Sequence, residues 1–259
     1  MAGRACRIWT FNAEELVVYR FSANRSGETP VQVLGSSTGT LVVDGYTGYN
    51  QVTTPQGRTR SGCLAHLRRK LFDALKYAPD FQIGLNLILD VYTVEHEALA
   101  AGIVRTPAHG QLRNTRSREA MAKLHTWLTE NQQKHTPSSP AGQALAYGIG
   151  QWPHLEVFLG LPGVPVDNNK SERLLRVIAR GRASYLFVGH DQGGQNLAIL
   201  MSLVATAEAC GKNPAEYIAD VLIRIQSHPA SQIDELLPQN WLPPDVADKV
   251  PIAQSPAVT

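Results

Sequence analysis

Cysteine, charge of one sign and long apolar runs are all scarce in this 259-residue sequence. Its three cysteines, Cys6, Cys63 and Cys210, lie far apart, and the sequence contains no CxxC pair. This pattern argues against a structural zinc site and predicts a reducing compartment. The longest apolar run, residues 197–209, contains three polar residues and is too short to span a bilayer. With no signal-peptide pattern near Met1, we expect a cytosolic protein.

Net charge is also nearly absent, at +2, so nucleic-acid binding cannot be inferred from the total. Local basic clusters do occur: Arg58 and Arg60; Arg68, Arg69 and Lys70; Arg113, Arg116 and Arg118; Arg173, Arg176 and Arg180. Arginine dominates them, which favours bidentate contacts with phosphate. Any single cluster, however, is more simply explained as a solvated face.

The N-terminal part predicts strands. Residues 7–11 and 16–22 are rich in β-branched and aromatic types and flank a polar turn, which indicates a β-hairpin. Thr29-Pro30 predicts a helix start and Gly35 its end. The apolar run 40–43 predicts a strand buried on both faces and ending at Asp44. A further short strand is predicted over residues 61–67.

A long helical block follows. Residues 67–159 show no strand pattern, and helical spacing predicts helices over 68–78, 82–101, 117–133 and 141–152, with Pro79, Gly102 and Pro153 among the breakers. Four histidines lie within or beside this block: His66, His96, His125 and His154. His96 and Glu95 have no partner at i+4 that would make a zinc pair, and we interpret all four histidines as structural or surface residues.

Residues 166–182 predict a loop that leads into a helix. Asn169 suits the N-cap and Glu172 the N3 position of a capping box. Arg173, Arg176 and Arg180 follow at spacings of three and four and form a basic stripe, named here the arginine stripe. An acid at the head of such a helix can bring a metal ion and a phosphate together. The alternative is a capping acid paired with Arg176 on a solvated face.

The C-terminal part predicts a strand over residues 184–188 and a glycine-rich turn over 189–194 that opens a long helix. Such a turn can hold phosphate, but it lacks a P-loop lysine at the right offset. A helix is predicted over 214–226, and the segment from Trp241 onward resembles a loose tail.

Two carboxylates form the candidate site. Asp44 ends a central strand, where open α/β sheets place their sites, and Glu172 can join it only through the fold. Paired carboxylates suit divalent ions, and two ions about 4 Å apart can hold both oxygens of an in-line phosphoryl transfer. We expect the two carboxylates within roughly 4–8 Å of each other. Alternatively, Asp44-Gly45 is a hairpin turn and Glu172 only a cap.

Several segments carry a family resemblance. VDGYTGYN (residues 43–50), GCLAHLRRK (62–70) and DNNKSER (167–173) resemble the catalytic domain of the insertion-sequence-66 family of DDE transposases. NPAEY (213–217), DVL (220–222) and IDELLP (233–238) resemble the C-terminal segment of that family. Together they cover nearly the whole chain in order.

The resemblance implies an α/β, ribonuclease-H-like core with a mixed sheet, incomplete at the N-terminus, and an all-helical insertion. Residues 1–66 would form the first part of the core and 67–160 the insertion. Residues 161–210 would complete the core and carry the catalytic glutamate, and 211–259 would form a helical C-terminal segment and tail.

The resemblance also implies DNA strand cleavage and strand transfer with Mg²⁺ or Mn²⁺ at a two-ion site. Asp44 corresponds to the second catalytic aspartate and Glu172 to the glutamate, and both would be metal ligands. Transposon ends and target DNA would be the partners of a homo-oligomer in the bacterial cytoplasm, associated with the nucleoid and not with a membrane. The expected DNA contacts are Arg68, Arg69, Lys70, Arg173, Arg176 and Arg180.

One departure from the family is serious. The first catalytic aspartate of the family precedes the hairpin and has no counterpart here, since Glu14 and Glu15 lie in the hairpin turn. We therefore expect a truncated transposase that is inactive alone. The alternative is an inactive remnant or accessory protein that only binds DNA. Metal-dependent nicking that appears when an upstream segment is restored would support the truncated transposase. A helical interaction protein would require the arginine stripe to be consumed in internal salt bridges.

Overall fold

The computed structural model describes residues 7–184 and 189–243 and has a mixed α/β structure that is mostly helical. Its strands are β1 (Arg7–Asn12), β2 (Val17–Ser22), β3 (Thr40–Val42) and β4 (Thr59–Ser61). Its α-helices are α1 (Glu28–Leu34), α2 (Leu64–Ala74), α3 (Gln82–Ala100), α4 (Pro107–Leu112), α5 (Arg118–Gln132), α6 (Pro140–Leu155), α7 (Asn169–Ser184), α8 (Asp191–Ala209) and α9 (Pro214–Arg224). A π-helical turn, Arg113–Ser117, joins α4 to α5, and short 3₁₀ turns cover Thr47–Tyr49, Pro79–Phe81, Val157–Gly160 and Ala230–Leu236.

The chain forms two compact units. One comprises residues 25–172, and the other combines residues 1–24 with 173–259. Within the described parts of the chain, no helix is long and apolar enough to cross a bilayer.

The unit made from both ends of the chain contains the predicted hairpin, which is confirmed. β1 and β2 pair antiparallel, with Trp9 opposite Arg20. The inner face of the hairpin, with Val17 and Tyr19, packs in one apolar cluster with Ile178 of α7 and Ala198 of α8. Alternation along β2 explains this face, because residues two apart point to the same side of a strand.

The unit of residues 25–172 is built around its helices. Leu64, Leu67 and Leu71 of α2 are fully buried at helical spacing and belong to one core with residues of α3, α5 and α6. The predicted all-helical block is confirmed, with α4 and the π-helical turn as additions. Burial of one apolar stripe on each helix explains why the spacing predicted them.

The small parallel sheet of this unit differs from the prediction. β3 pairs with β4, with Val42 opposite Ser61. The expectation of a strand buried on both faces is wrong, because all three β3 residues are half-buried. The strand predicted over 61–67 lies earlier, at β4, since the leucine spacing of residues 64–71 places α2 there.

Several predicted boundaries are also wrong. Thr29 lies inside α1, whose N-cap is Gly27. Pro153 lies inside the last turns of α6 instead of ending it. Trp241 is not part of a loose tail, because its ring is buried against Tyr217 and its Nε1–H donates to Asp220 at 2.7 Å. These errors share one cause: tertiary contacts outweigh local breaker and cap preferences.

Two predicted C-terminal features change as well. Ser184 ends α7, and residues 185–188 of the predicted strand lie outside the described residues. The glycine-rich turn is shorter than predicted, because α8 already begins at Asp191. His190 is the N-cap of α8, and its Nδ1 accepts a hydrogen bond from the Gly193 N–H.

Candidate active site

The parallel sheet gives the site its location. Because β3 and β4 run in the same direction, their carboxyl ends lie at one edge. Asp44 follows Val43, whose N–H donates to the Ser61 carbonyl at 3.0 Å. β4 continues through Gly62 to Cys63, the N-cap of α2. Asp44 and the first turn of α2 are therefore attached to the same edge.

A third segment, which leads into α7, joins the first turn of α2. The Leu64 N–H donates to the Val166 carbonyl at 3.0 Å, and the Asn168 N–H donates to Cys63 Sγ at 3.5 Å. The head of α7, which carries Glu172, consequently lies beside the start of α2. The predicted carboxylate separation between Asp44 and Glu172 stays a prediction.

The loop after Asp44 is held by Arg60 of β4. Its guanidinium donates to the Asp44 carbonyl at 2.6 Å, to the Tyr46 carbonyl at 3.1 Å and to Asn50 Oδ1 at 2.8 Å. Burial lowers the pKa of Arg60, and the nearby Asp44 charge opposes this shift. Asp44 Oδ1 accepts the Tyr46 N–H at 3.0 Å. Arg60, one of the basic residues considered for phosphate binding, therefore serves this loop.

Tyr147 of α6 is a residue of this region that sequence reasoning missed. A Cβ on Gly45 would lie 3.0 Å from the Tyr147 ring, and Lys70 Nζ lies 4.8 Å from the ring centroid. Burial, followed by interactions with Cys63 and Asp44, raises the pKa of Tyr147 to about 12. The phenol therefore stays protonated at neutral pH. No sequence pattern links an aromatic residue in the helical block to Asp44.

The capping-box prediction for Glu172 is wrong. The Asn168 carbonyl accepts the Glu172 N–H at 3.2 Å, and the Asn169 N–H donates to Asp167 Oδ1 at 3.0 Å. The Glu172 carboxylate instead meets α2, where its Oε1 lies 3.3 Å from His66 Nε2 and 4.0 Å from Arg69 Nη2. His66 is thus a neighbour of the candidate catalytic glutamate, a role its sequence context did not indicate.

Asp167 and Cys63 act as anchors of this segment. Asp167 Oδ2 accepts the Tyr92 hydroxyl of α3 and the Asn169 side-chain amide, both at 2.7 Å. Burial and the hydrogen bond to Asp167 raise the pKa of Tyr92. Burial raises the pKa of the Cys63 thiol to about 11, which makes it an unreactive neutral thiol. Both residues stabilise the path of the chain into α7.

The predicted DNA-contacting residues are exposed. Arg68, Arg69 and Lys70 project from α2, and the arginine stripe projects from α7. Across the described ranges 7–184 and 189–243, no arginine of the stripe forms an ion pair. The condition for a purely helical interaction protein, a stripe consumed in salt bridges, is therefore not met there. The pairing of Glu172 with Arg176 is likewise not formed there.

Arg113 belongs to a different environment from the other basic clusters. It is 1% exposed and pairs through Nε and Nη2 with both carboxylate oxygens of Glu95. Its Nη1 donates to the Phe158, Leu161 and Val164 carbonyls. Since its hydrogen-bonding groups are used internally, Arg113 cannot contact DNA.

The carboxylates can be tested against a divalent ion. In the described part of the chain, no group of three or more His, Cys, Asp or Glu side chains is placed to hold a metal. Asp44 Oδ2 and Glu172 Oε2, however, accept no hydrogen bond from any described residue. Mg²⁺ is often held by one or two carboxylates, with water and substrate phosphate completing the shell. Each of the two carboxylates therefore keeps one oxygen with which it could ligate such an ion.

Comparison with known families gives two matches. The family described as "Transposase IS66 family" matches residues 1–196, and the "IS66 C-terminal element" matches residues 202–239. No solved structure matches the chain.

Relatives occur in Sinorhizobium fredii. The uncharacterized protein y4jD is 33% identical over 245 residues, which covers 91% of this chain and 47% of the relative. The uncharacterized protein y4hP is 28% identical over 262 residues and y4qI 29% identical over 239, covering 47% and 44% of those proteins. The chain thus spans about half the length of the curated relatives it matches.

Proposed function

The chain belongs to the IS66 transposase family, and on that basis we propose that it serves DNA strand cleavage and strand transfer during transposition, although the chain alone is expected to be inactive. The observation that carries the proposal is the shared edge of β3 and β4. Asp44 leaves this edge directly, and Glu172 reaches the start of α2 at the same edge through residues 166–168.

Asp44 and Glu172 are proposed as ligands of Mg²⁺ or Mn²⁺, through the one oxygen of each that accepts no hydrogen bond in the described structure. When bound, such ions neutralise charge that develops on a reacting phosphate, and a two-ion site holds both the attacking and the leaving oxygen. The role of this chain is to position both carboxylates. Arg60 holds the Asp44 backbone and the Tyr46 N–H its carboxylate, while His66 and Arg69 of α2 contact Glu172.

We also propose a ribonuclease-H-like core for this fold. The hairpin and the β3–β4 pair would belong to the core, and residues 67–160 would be its helical insertion. The core would comprise residues 1–66 and 161–210. The helical C-terminal segment and tail would comprise residues 211–259. The buried helical cluster of α2, α3, α5 and α6 supports an insertion with its own hydrophobic centre.

The proposed partner is DNA. Exposed arginines without ion pairs are suited to phosphate, to which the guanidinium can donate two parallel hydrogen bonds. The arginine stripe and the group Arg68, Arg69 and Lys70 would contact the backbones of transposon ends and target. A homo-oligomeric complex on the bacterial nucleoid completes the proposal.

The test is nicking of supercoiled plasmid DNA that carries the transposon ends, in Mg²⁺ or Mn²⁺, by the chain with an upstream segment of a relative such as y4jD placed before it, because the chain alone is expected to be inactive. Asp44→Asn and Glu172→Gln should each abolish metal-dependent nicking while DNA binding remains. Asp73→Asn, at an exposed carboxylate of α2, is the matched control and should nick like the wild type. Nicking that survives both site substitutions would disprove the assigned site.

The second candidate is a DNA-binding protein without catalytic activity. The unpaired arginine stripe favours it, because phosphate binding does not require the carboxylates. It predicts DNA binding with no nicking in either metal, even with the upstream segment in place, and identical behaviour of Asp44→Asn. The same experiment therefore decides between the two functions.

A further inference from the structure

His66 lies in the first turn of α2 and faces Glu172. The contact joins His66 Nε2 to Glu172 Oε1 at 3.3 Å, with the two side chains 17% and 36% exposed. Arg69 Nη2 lies 4.0 Å from the same Oε1. Within the described residues, Oε2 has neither a hydrogen bond nor an ion pair. The carboxylate is therefore held from one side only.

Both ends of this contact are fixed by their own backbones. Leu64 and Leu67 on either side of His66 are fully buried in the core, which sets the rotation of α2. The Leu64 N–H to Val166 carbonyl bond and the Asn168 N–H to Cys63 Sγ bond fix the segment before α7. The backbone contacts therefore hold the His66 imidazole beside the Glu172 carboxylate.

Of the two partners, His66 is the one able to orient the carboxylate. Arg69 is 60% exposed and its contact is at the 4.0 Å limit, and such surface pairs hold geometry weakly. The His66 contact is shorter and its ring is mostly enclosed. In the tautomer that carries its hydrogen on Nε2, His66 can present that hydrogen to Glu172 Oε1.

We infer that His66 is a positioning residue for Glu172, holding Oε1 so that Oε2 is presented to the divalent ion of the proposed site. This inference rests on the proposed function. An unrestrained glutamate loses rotamer freedom when it ligates an ion. Hydrogen-bond partners of metal-ligating carboxylates reduce this loss and fix the orientation, and their removal typically weakens metal affinity about 10–100-fold.

The experiment measures Mn²⁺ binding to the 259-residue chain by the electron paramagnetic resonance signal of the free ion. His66→Leu removes the donor and should raise the Mn²⁺ dissociation constant about 10–100-fold. His66→Gln keeps a side-chain N–H and should restore binding close to that of the wild type. His96→Leu is the matched control, because His96 is exposed on α3, and it should bind like the wild type.

A double-mutant cycle with Glu172→Gln separates positioning from general structural damage. If His66 acts through Glu172, His66→Leu should cause no further loss of Mn²⁺ affinity in the Glu172→Gln background. Thermal unfolding identifies any variant that fails to fold. If His66→Leu does not fold, Mn²⁺ binding by His66→Gln tests the positioning role instead.

Each outcome has one meaning. Unchanged Mn²⁺ affinity in His66→Leu, with binding lost in Glu172→Gln, would overturn the positioning role and leave the proposed site standing. Wild-type chain that binds no Mn²⁺, or binding that is insensitive to Glu172→Gln, would overturn the metal site and the positioning role together. A loss in His66→Leu that Gln does not restore and that adds to Glu172→Gln would assign His66 to folding alone.

Discussion

Arg113 and Arg116 lie one turn apart, and each pairs with a glutamate of α3, but water reaches only one of the pairs. The Arg113 side chain is 1% exposed, whereas the side chain of Arg116, which pairs with Glu97, is 48% exposed. The inner pair is completed by buried His109, whose Nδ1 accepts the Arg105 N–H at 3.2 Å and whose Nε2 therefore donates to Glu95. Burial makes these two similar pairs energetically different.

Replacing Arg113 by Met should destabilise the chain by about 3–5 kcal/mol, because it leaves Glu95 without its buried cation and three carbonyls without a donor. Arg116→Met is the matched control and should leave the free energy of unfolding nearly unchanged, as is usual for exposed pairs. Urea unfolding monitored by circular dichroism measures both. Equal losses for the two variants would show that the inner network contributes no more than a surface pair.

At the scale of elements, α8 completes the outer edge of β2. Thr206 Oγ1 accepts the Val17 N–H at 3.1 Å and donates to the Val17 carbonyl at 2.9 Å. Ser202 Oγ, one turn earlier, accepts the Tyr19 N–H at 2.8 Å. A helix thereby supplies hydrogen bonds that a neighbouring strand would otherwise make, and it protects the edge from association.

Thr206→Val keeps the shape of the side chain but removes both hydrogen bonds to Val17. The expected loss of unfolding free energy is about 1–3 kcal/mol, the usual cost of unsatisfied buried polar groups. The control is Thr126→Val on α5, because exposed Thr126 bonds only to the Ala122 carbonyl of its own helix. That control should stay within about 0.5 kcal/mol of the wild type. Chemical denaturation measures both variants, and an equal loss of unfolding free energy in the two would contradict this role of Thr206.

The arginine stripe of α7 is the second element with a testable role. If Arg176 contacts a DNA phosphate, Arg176→Ala should reduce the slope of log affinity against log salt by about one unit. Lys123→Ala removes the same charge from α5, where Lys123 is paired with Glu119 at 2.7 Å, and should leave the slope unchanged. Fluorescence anisotropy over a series of salt concentrations measures the slope. An unchanged slope for Arg176→Ala would exclude it from the DNA interface.

At the scale of the whole molecule, residues 25–172 form a compact unit from one continuous stretch of chain. Their core unites α2, α3, α5 and α6, and it includes Phe81, Ile88 and Leu124. A domain of roughly 150 residues buries nearly 70% of its unfolded surface, which suffices for independent stability. The other unit needs both chain ends, because β2 packs on α8.

A fragment of residues 25–172 should therefore fold alone and unfold cooperatively in urea. A fragment of residues 1–24 should be unstructured, because a lone two-stranded hairpin is marginal in water. Circular dichroism and amide dispersion in nuclear magnetic resonance spectra distinguish these states. A disordered 25–172 fragment would mean that this unit depends on the rest of the chain.

The sequence by itself determined the local elements and the family. The hairpin, the helices between residues 67 and 159 and the arginine stripe were predictable because each follows a short period of two or 3.6 residues. Asp44 and Glu172 were singled out as candidates by a strand end, a helix start and the family resemblance. These signals all lie within a few residues of the positions they mark.

Only the tertiary structure decided what surrounds those candidates. The Asn168–Cys63 bond joins residues 105 positions apart, and His66 meets Glu172 across a similar separation. No local period encodes such pairs, since they depend on how α2 and α6 pack against the sheet and the segment before α7. The same packing buries Arg113 and places Tyr147 beside Gly45. Burial, a property of the assembled core and not of the local sequence, separates structural arginines from exposed ones.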